Sequence, residues 1–187
     1  MRLSRTVALL TFVAASAAPG GSRADDAKPP SAPAQQDRTR ITGTFRFAGD
    51  RAEEAARRAA IDRGIGGLFF AIRGIARSRL SNGTKIDSWV SFAFDADRIR
   101  VRVPSAPEAV APDGGPPVDL VSDGERVKLS HAASSSRVTQ TFVASEGKRV
   151  NEWVVSPDGN TLSVRVTVSS PQLTAPVVYT LTYKRSS

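Results

Sequence analysis

The stretch "TLSVRVTVSSPQLTAPVVYTLTYKR", residues 161–185, decides the fold. Leu162, Val164, Val166 and Val168 fall on one side of a two-residue period, and Ser163, Arg165 and Thr167 on the other. After a break at Ser170-Pro171, Val177, Tyr179, Leu181 and Tyr183 repeat the pattern against Thr180, Thr182 and Lys184. Successive side chains of a β-strand point to opposite faces, so this alternation marks two strands, each with one buried and one wetter face. The β-branched and aromatic residues that dominate them suit a pleated surface.

The same period runs back through most of the chain. It predicts strands at about 85–95, 97–103, 118–122, 125–131, 136–145 and 148–156, joined by turns such as Asp95-Ala96-Asp97, Asp123-Gly124, Glu146-Gly147 and Pro157-Asp158-Gly159-Asn160. Short links between successive strands mean an antiparallel up-and-down meander. Residues 104–117 ("PSAPEAVAPDGGPP") hold five prolines and are expected to form a long stiff loop. At the front, "ITGTFRF" (41–47) puts Ile41, Gly43, Phe45 and Phe47 on one face and reads as the first strand. Nine such strands would leave long open edges unless the sheet curls on itself. The expected fold is mainly β: a closed or nearly closed antiparallel up-and-down barrel of 8–10 strands. Barrels of about eight strands are either filled by their own side chains or hold one small ligand.

Between strand one and the meander the period changes. Asp50 with Glu53 resembles a capping box, and "RAEEAARRAAID" is strongly helix-forming, with Glu53–Arg57 and Glu54–Arg58 at the favourable i,i+4 order. Its inner face is expected to be Ala52, Ala55, Ala56, Ala59 and Ala60. Gly64 to Gly67 interrupt it, and a second helix follows from about Leu68 to Leu80 before Asn82-Gly83 stops it. Leu68, Ile72, Ile75 and Leu80 form an apolar stripe, of which Leu68, Ile72 and Ile75 are expected to plug the barrel mouth. Phe70, Arg73 and Arg77 are expected to look outward, where a basic amphipathic helix makes weak contact with an anionic membrane surface.

The N-terminus has the pattern of an export signal. Arg2 and Arg5 precede an apolar run from Thr6 to Ala18, too short to span a bilayer, and cleavage motifs end at Ala17 and Ala24. Residues 1–24 are therefore expected to be a signal peptide and 25–38 a disordered leader rich in proline, alanine and polar residues. Residues 39–187 are left as a single domain, periplasmic or secreted and soluble. Removing Arg2, Arg5 and Arg23 from the 26 basic residues leaves 23 against 18 acidic ones, an excess too mild to signal nucleic acid.

Chemistry is sparse. There is no cysteine and one histidine, His131, so thiol catalysis, thiolate metal sites and multi-imidazole metal sites are excluded, and no cofactor is implied. No nucleophile motif accompanies His131, which reads as a rim residue of its strand. Asp95 and Asp97 flank a tight turn, where aspartate is expected anyway. Gly64-Ile65-Gly66-Gly67 follows a helix, unlike a phosphate-binding loop, which follows a strand. The chain does not read as an enzyme.

Strand, two helices and an uninterrupted meander over residues 41–185 resemble the fatty-acid-binding-protein layout of the calycin (lipocalin-like) superfamily. The glycine–tryptophan motif of lipocalins is absent from "ITGTFRF". The resemblance implies a helical pair over the barrel mouth and a cavity for an apolar ligand. Taken with strand parity and the apolar stripe, it makes Phe45, Phe47, Leu68, Ile72, Ile75, Phe92, Phe94, Phe142, Trp153, Tyr179 and Tyr183 the candidate ligand contacts. Trp89 lies on the opposite parity from Phe92 and Phe94. Two readings follow: non-catalytic binding of a small apolar or amphiphilic, lipid-like molecule, or an envelope-associated structural or protein-interaction module whose barrel is filled by its own side chains.

Overall fold

The computed structural model describes residues 40–122 and 124–186, so the expected signal peptide and leader lie outside the described residues. Ten strands make one antiparallel sheet: β1 (Gly43–Phe47), β2 (Trp89–Asp95), β3 (Arg98–Val103), β4 (Ala106–Pro112), β5 (Val118–Ser122), β6 (Glu125–Ser134), β7 (Arg137–Ala144), β8 (Gly147–Val155), β9 (Thr161–Ser169) and β10 (Val177–Arg185). Helices α1 (Arg51–Ile65) and α2 (Phe70–Gly83) lie between β1 and β2. The spatial order is β4-β3-β2-β1-β10-β9-β8-β7-β6-β5, a meander in which β10 returns beside β1 and leaves β4 and β5 as the two ends.

Those ends meet without a full ladder, so the barrel is nearly closed. Asp113, just past β4, bridges His131 of β6. Gly114 N donates to the His131 carbonyl at 2.8 Å, and Ala133 N donates to the Asp113 carboxylate at 2.7 Å. The wall is sewn by the alternation read above. Phe45, Val90, Ile99, Leu129, Val138 and Leu162 are buried almost completely. Each such side chain contributes about 1.5–3 kcal/mol by leaving water.

Several expectations are corrected. The segment 104–117 is not a loop throughout, because β4 occupies its middle and pairs with β3 from Arg98↔Pro112 to Val103↔Ala106. Proline has no N–H to give, but a strand laddered on one side only can hold Pro107 and Pro112. β2 starts at Trp89 rather than near 85, and the second helix runs to Gly83. The inner face of α1 is not the alanine row: Ala52, Ala55, Ala56 and Ala59 are exposed, whereas Ala60, Ile61, Gly64 and Ile65 are buried. The larger apolar side chains offer more area to the barrel, and they set how the helix sits.

Two contacts dock α1. Glu53 accepts from Thr182 N at 2.9 Å and from Thr182 Oγ at 2.6 Å, serving a stretch of β10 that lies beyond the last β1 pairing at Phe47↔Tyr183. At the other end Thr174 N donates to the Gly64 carbonyl at 3.0 Å. A side chain at Gly64 would place its Cβ 2.7 Å from Val177 Cγ2, so only glycine permits this approach. Asp50 caps α1 by accepting from Ala52 N and Glu53 N.

The plug expectation also changes. Ile72 and Ile75 are 48% and 59% exposed, and no residue of α2 is fully buried. Leu68, Ala76 and Leu80 face the core instead, because α2 leans on the barrel through its C-terminal half. Two arginines hold that half: Arg57 of α1 donates to the Thr84 carbonyl at 3.3 Å, and Arg149 of β8 to the Gly83 carbonyl at 2.9 Å. Both cations sit where the helix dipole is negative.

Candidate functional site

Inward positions of the barrel divide into an aromatic cluster and a hollow. The cluster is a chain of edge-to-face rings. Phe45 meets Phe92 at 6.4 Å between centroids, Phe92 meets Trp153 at 5.4 Å, Trp153 meets Tyr183 at 6.0 Å, and Tyr183 meets Phe47 at 5.6 Å. Such pairs add about 0.5–1.5 kcal/mol each beyond the area they bury. This part of the interior is filled.

Beside it lies a cavity of about 200 Å³. Val101, Val164, Val166 and Leu181 wall it, and Trp153, Tyr179, Tyr183 and Phe142 contribute rings. A second hollow of about 380 Å³ lies under α2, between Leu68, Ala76 and Leu80 on the helical side and Ala144, Val168 and Leu173 on the barrel side. Phe142 and Arg149 line both spaces. They are directly paired across β7 and β8, so their side chains are the boundary, or neck, that separates interior from groove.

A polar row crosses this apolar interior. His131, Gln140 and Asn151 are cross-strand neighbours on β6, β7 and β8, each 2–3% exposed. Arg149 Nε donates to Asn151 Oδ1 at 2.9 Å, and Asn151 Nδ2 donates to Gln140 Oε1 at 2.9 Å. Gln140 Nε2 lies 3.2 Å from His131 Nε2, and His131 Nδ1 lies 2.9 Å from the Ile99 carbonyl. A carbonyl only accepts, so Nδ1 carries the proton and Nε2 is the bare acceptor for Gln140. Burial, the largest influence, lowers the imidazole's pKa, while the carbonyls of Ile99 and Ala111 and the charge of Asp113 oppose it.

The phenols are likewise held neutral. Burial pushes both Tyr179 and Tyr183 above the usual tyrosine range, and Arg149 and Arg57 pull Tyr179 partly back. Both are hydroxyl donors or acceptors at physiological pH. Trp153 Nε1 is buried without a hydrogen-bond partner among the described residues, at a cost of about 1–3 kcal/mol. Both ring nitrogens of His131, the single imidazole of the chain, are thus engaged within the row, Nδ1 as donor and Nε2 as acceptor.

Of the residues chosen by parity, the structure brings Phe142, Trp153, Tyr179 and Tyr183 to the cavity. Phe45, Phe47, Phe92 and Phe94 belong to the packed core and do not line it. Leu68 lines the outer groove, while Ile72 and Ile75 line neither space. Phe70 is 75% exposed, as expected of an outward residue. Arg73 and Arg77 are also exposed but engaged: Arg73 Nε donates to the Leu68 carbonyl, and Arg77 pairs with Asp62 at 2.9 Å. The residues missed are Gln140, Arg149 and Asn151. Their signal was present, since each is a polar residue on the apolar parity of its strand.

Solved structures with this architecture are known. The chain is similar to a single-residue mutant of the fluorescent protein UnaG, at a TM-score of 0.50 and 16% identity over 80% of this chain and 98% of that one. It is also similar to a secretary abundant heat soluble protein from Ramazzottius varieornatus, at 0.50 and 11% over 79% and 96%. A looser likeness is to the REP1-NXSQ fatty acid transporter, at 0.48 and 15% over 80% and 98%. At these identities the likeness is one of fold: a nearly closed antiparallel barrel with a helix pair after the first strand. No protein-family model and no curated protein sequence matches the chain.

Proposed function

We propose that this protein is an exported, non-catalytic carrier of a compact amphiphile held inside the barrel. The observation that carries this reading is the mainly apolar cavity of about 200 Å³, crossed by a polar row and separated from a groove by Phe142 and Arg149. A barrel filled by its own side chains, as a purely structural module requires, would have no such space. The cavity falls short of the roughly 300–1,000 Å³ of pockets for drug-sized ligands. The ligand it suits is therefore small, or else extends through the neck into the groove. Apolar walls and the cationic neck favour an acidic or strongly accepting head on a hydrocarbon body.

Delivery from an anionic bilayer is part of the proposal. Phe69, Phe70, Ile72 and Ile75 are 48–75% exposed on one helix and its entry, beside Arg73 and Arg79. A helix with apolar and basic residues set out in this way lies in a membrane interface. Export rests on the N-terminal pattern, and N-terminal sequencing of the mature protein should begin at Asp25 or Ala18. Native mass spectrometry of protein purified from its own host tests the main reading: a retained adduct of fatty-acid size or smaller is expected. An empty barrel whose pull-downs enrich one envelope protein would favour the interaction module instead.

A further inference from the structure

The polar row is a directional circuit with two fixed ends. Arg149 can only donate, and the Ile99 carbonyl can only accept. Between them stand two amides and one imidazole, and every contact is made only when each amide turns its oxygen toward the arginine side and the imidazole is neutral. A proton on His131 Nε2 makes the imidazole a donor at both edges. Donors then enter the pair of amides from both sides. Whichever way Gln140 and Asn151 flip, one of the three contacts between His131 and Arg149 sets donor against donor.

The weakest place is the arginine end. Gln140 and Asn151 are each 3% exposed and locked in facing rungs, whereas Arg149 is half-buried at a neck open to the groove. We propose that His131 is an acid-operated latch on the cavity: its protonation drives Arg149 off Asn151, opens the neck and frees the C-terminal end of α2. This rests on the reading of the cavity as a ligand site. Arg149 also holds the Gly83 carbonyl, so one swing of the guanidinium removes both contacts, leaving Arg57 on Thr84 as the remaining pin. Two like charges along the row add to the push.

The charges around the ring are few. Asp113 faces it from the segment after β4 and favours the proton, as do the carbonyls of Ile99 on β3 and Ala111 on β4. Arg98 and Arg100 of β3 lie on the other parity from Ile99, and Arg100 is paired with Asp95 and Glu108. On β5, Asp119 is exposed and paired with Lys128 of β6. β7 offers the ring only the Gln140 amide, and Arg149 on β8 disfavours a second positive charge. Burial lowers the imidazole's proton affinity, so the latch trips on the acid side of the ordinary histidine range.

The test follows the whole protein, labelled with nitrogen-15, from about pH 8 to about pH 5. Imidazole nitrogen shifts report the His131 proton, the Arg149 Nε–H resonance reports its hydrogen bond, and the dissociation rate of carbon-13-labelled octanoate reports the neck. The expected result is a single Nδ1–H tautomer at high pH. Loss of the Arg149 signal and roughly tenfold faster octanoate release should then share the His131 midpoint. Gln140→Leu cuts the circuit, so there His131 still titrates while Arg149 and release no longer follow it. An Arg149 signal indifferent to His131 protonation in the wild type overturns the latch, as does a ring that stays neutral until the protein unfolds. If octanoate binds and its release is flat with pH, the latch fails and the ligand reading stands. If nothing binds but Arg149 tracks His131, the ligand reading fails and the circuit stands.

Discussion

Replacing Glu53 with alanine tests how the helix pair is seated over the barrel. The carboxylate accepts two hydrogen bonds from one residue of β10, at 2.9 Å from Thr182 N and 2.6 Å from Thr182 Oγ. A hydrogen bond to a charged group contributes about 1.5–3 kcal/mol. The two bonds share one carboxylate, and Glu53 is half-buried, so their sum is discounted toward the lower end. Alanine should therefore cost about 2–4 kcal/mol, part of it the penalty of a strand N–H left without an acceptor. Glu53→Gln keeps one acceptor for Thr182 N and presents its NH₂ to a hydroxyl that can accept, so it should cost about 1 kcal/mol. Urea unfolding gives both numbers, with the slope unchanged if the barrel itself is intact. Thr182→Val with Glu53→Ala should show coupling of about 1 kcal/mol or more, since the two share the contact. An alanine variant within about 0.5 kcal/mol of wild type would refute the reasoning, and would mean that the buried end of the helix, with Ile61, Ile65 and the Thr174–Gly64 contact, holds it without Glu53.

Other outcomes follow from the same geometry. Gly64→Ala should destabilise by about 1–3 kcal/mol, because its Cβ would meet Val177 Cγ2 at 2.7 Å, and a thermal melt reads this directly. The lowered pKa of His131 gives a pH dependence: the unfolded state takes the proton first, so stability falls as pH drops through about 6.5 and levels off below the folded pKa. His131→Gln should remove that component of the slope when urea midpoints are compared across pH. Changing Phe70, Ile72 and Ile75 to serine should leave the stability from urea unfolding within about 0.5 kcal/mol per site, because none is buried, while co-sedimentation with anionic vesicles falls sharply. Undiminished sedimentation would show that this face does not meet membranes.

What was legible in the sequence divides along physical lines. Strand period depends only on which residues alternate, so β9 with its valine row and β10 with its tyrosines were readable without knowing the partners. β4 was not, because its two prolines are tolerated for a tertiary reason: the strand is laddered on one side only. The helices were readable as helices but not in their facing. α2 carries apolar residues on several sides, and Leu68, Ala76 and Leu80 face the core because Arg57 and Arg149 hold its far end. The cavity was half legible. Aromatic residues were found by size and parity, yet size does not tell packed Phe92 from cavity-lining Phe142. Gln140, Asn151 and Arg149 broke the apolar parity of their strands, and a reading that asked why a buried position is polar would have found them.

The central claim is that the barrel interior admits a small amphiphile, and methyl-resolved NMR of the protein titrated with octanoate near neutral pH tests it most directly. The methyl groups of Val101, Val164, Val166 and Leu181, which wall the cavity, should shift together and saturate at one equivalent. Those of Val121 and Val143, exposed on the outer surface, should stay in place. Shifts confined to the exposed face of α2, or none at all, would contradict the account.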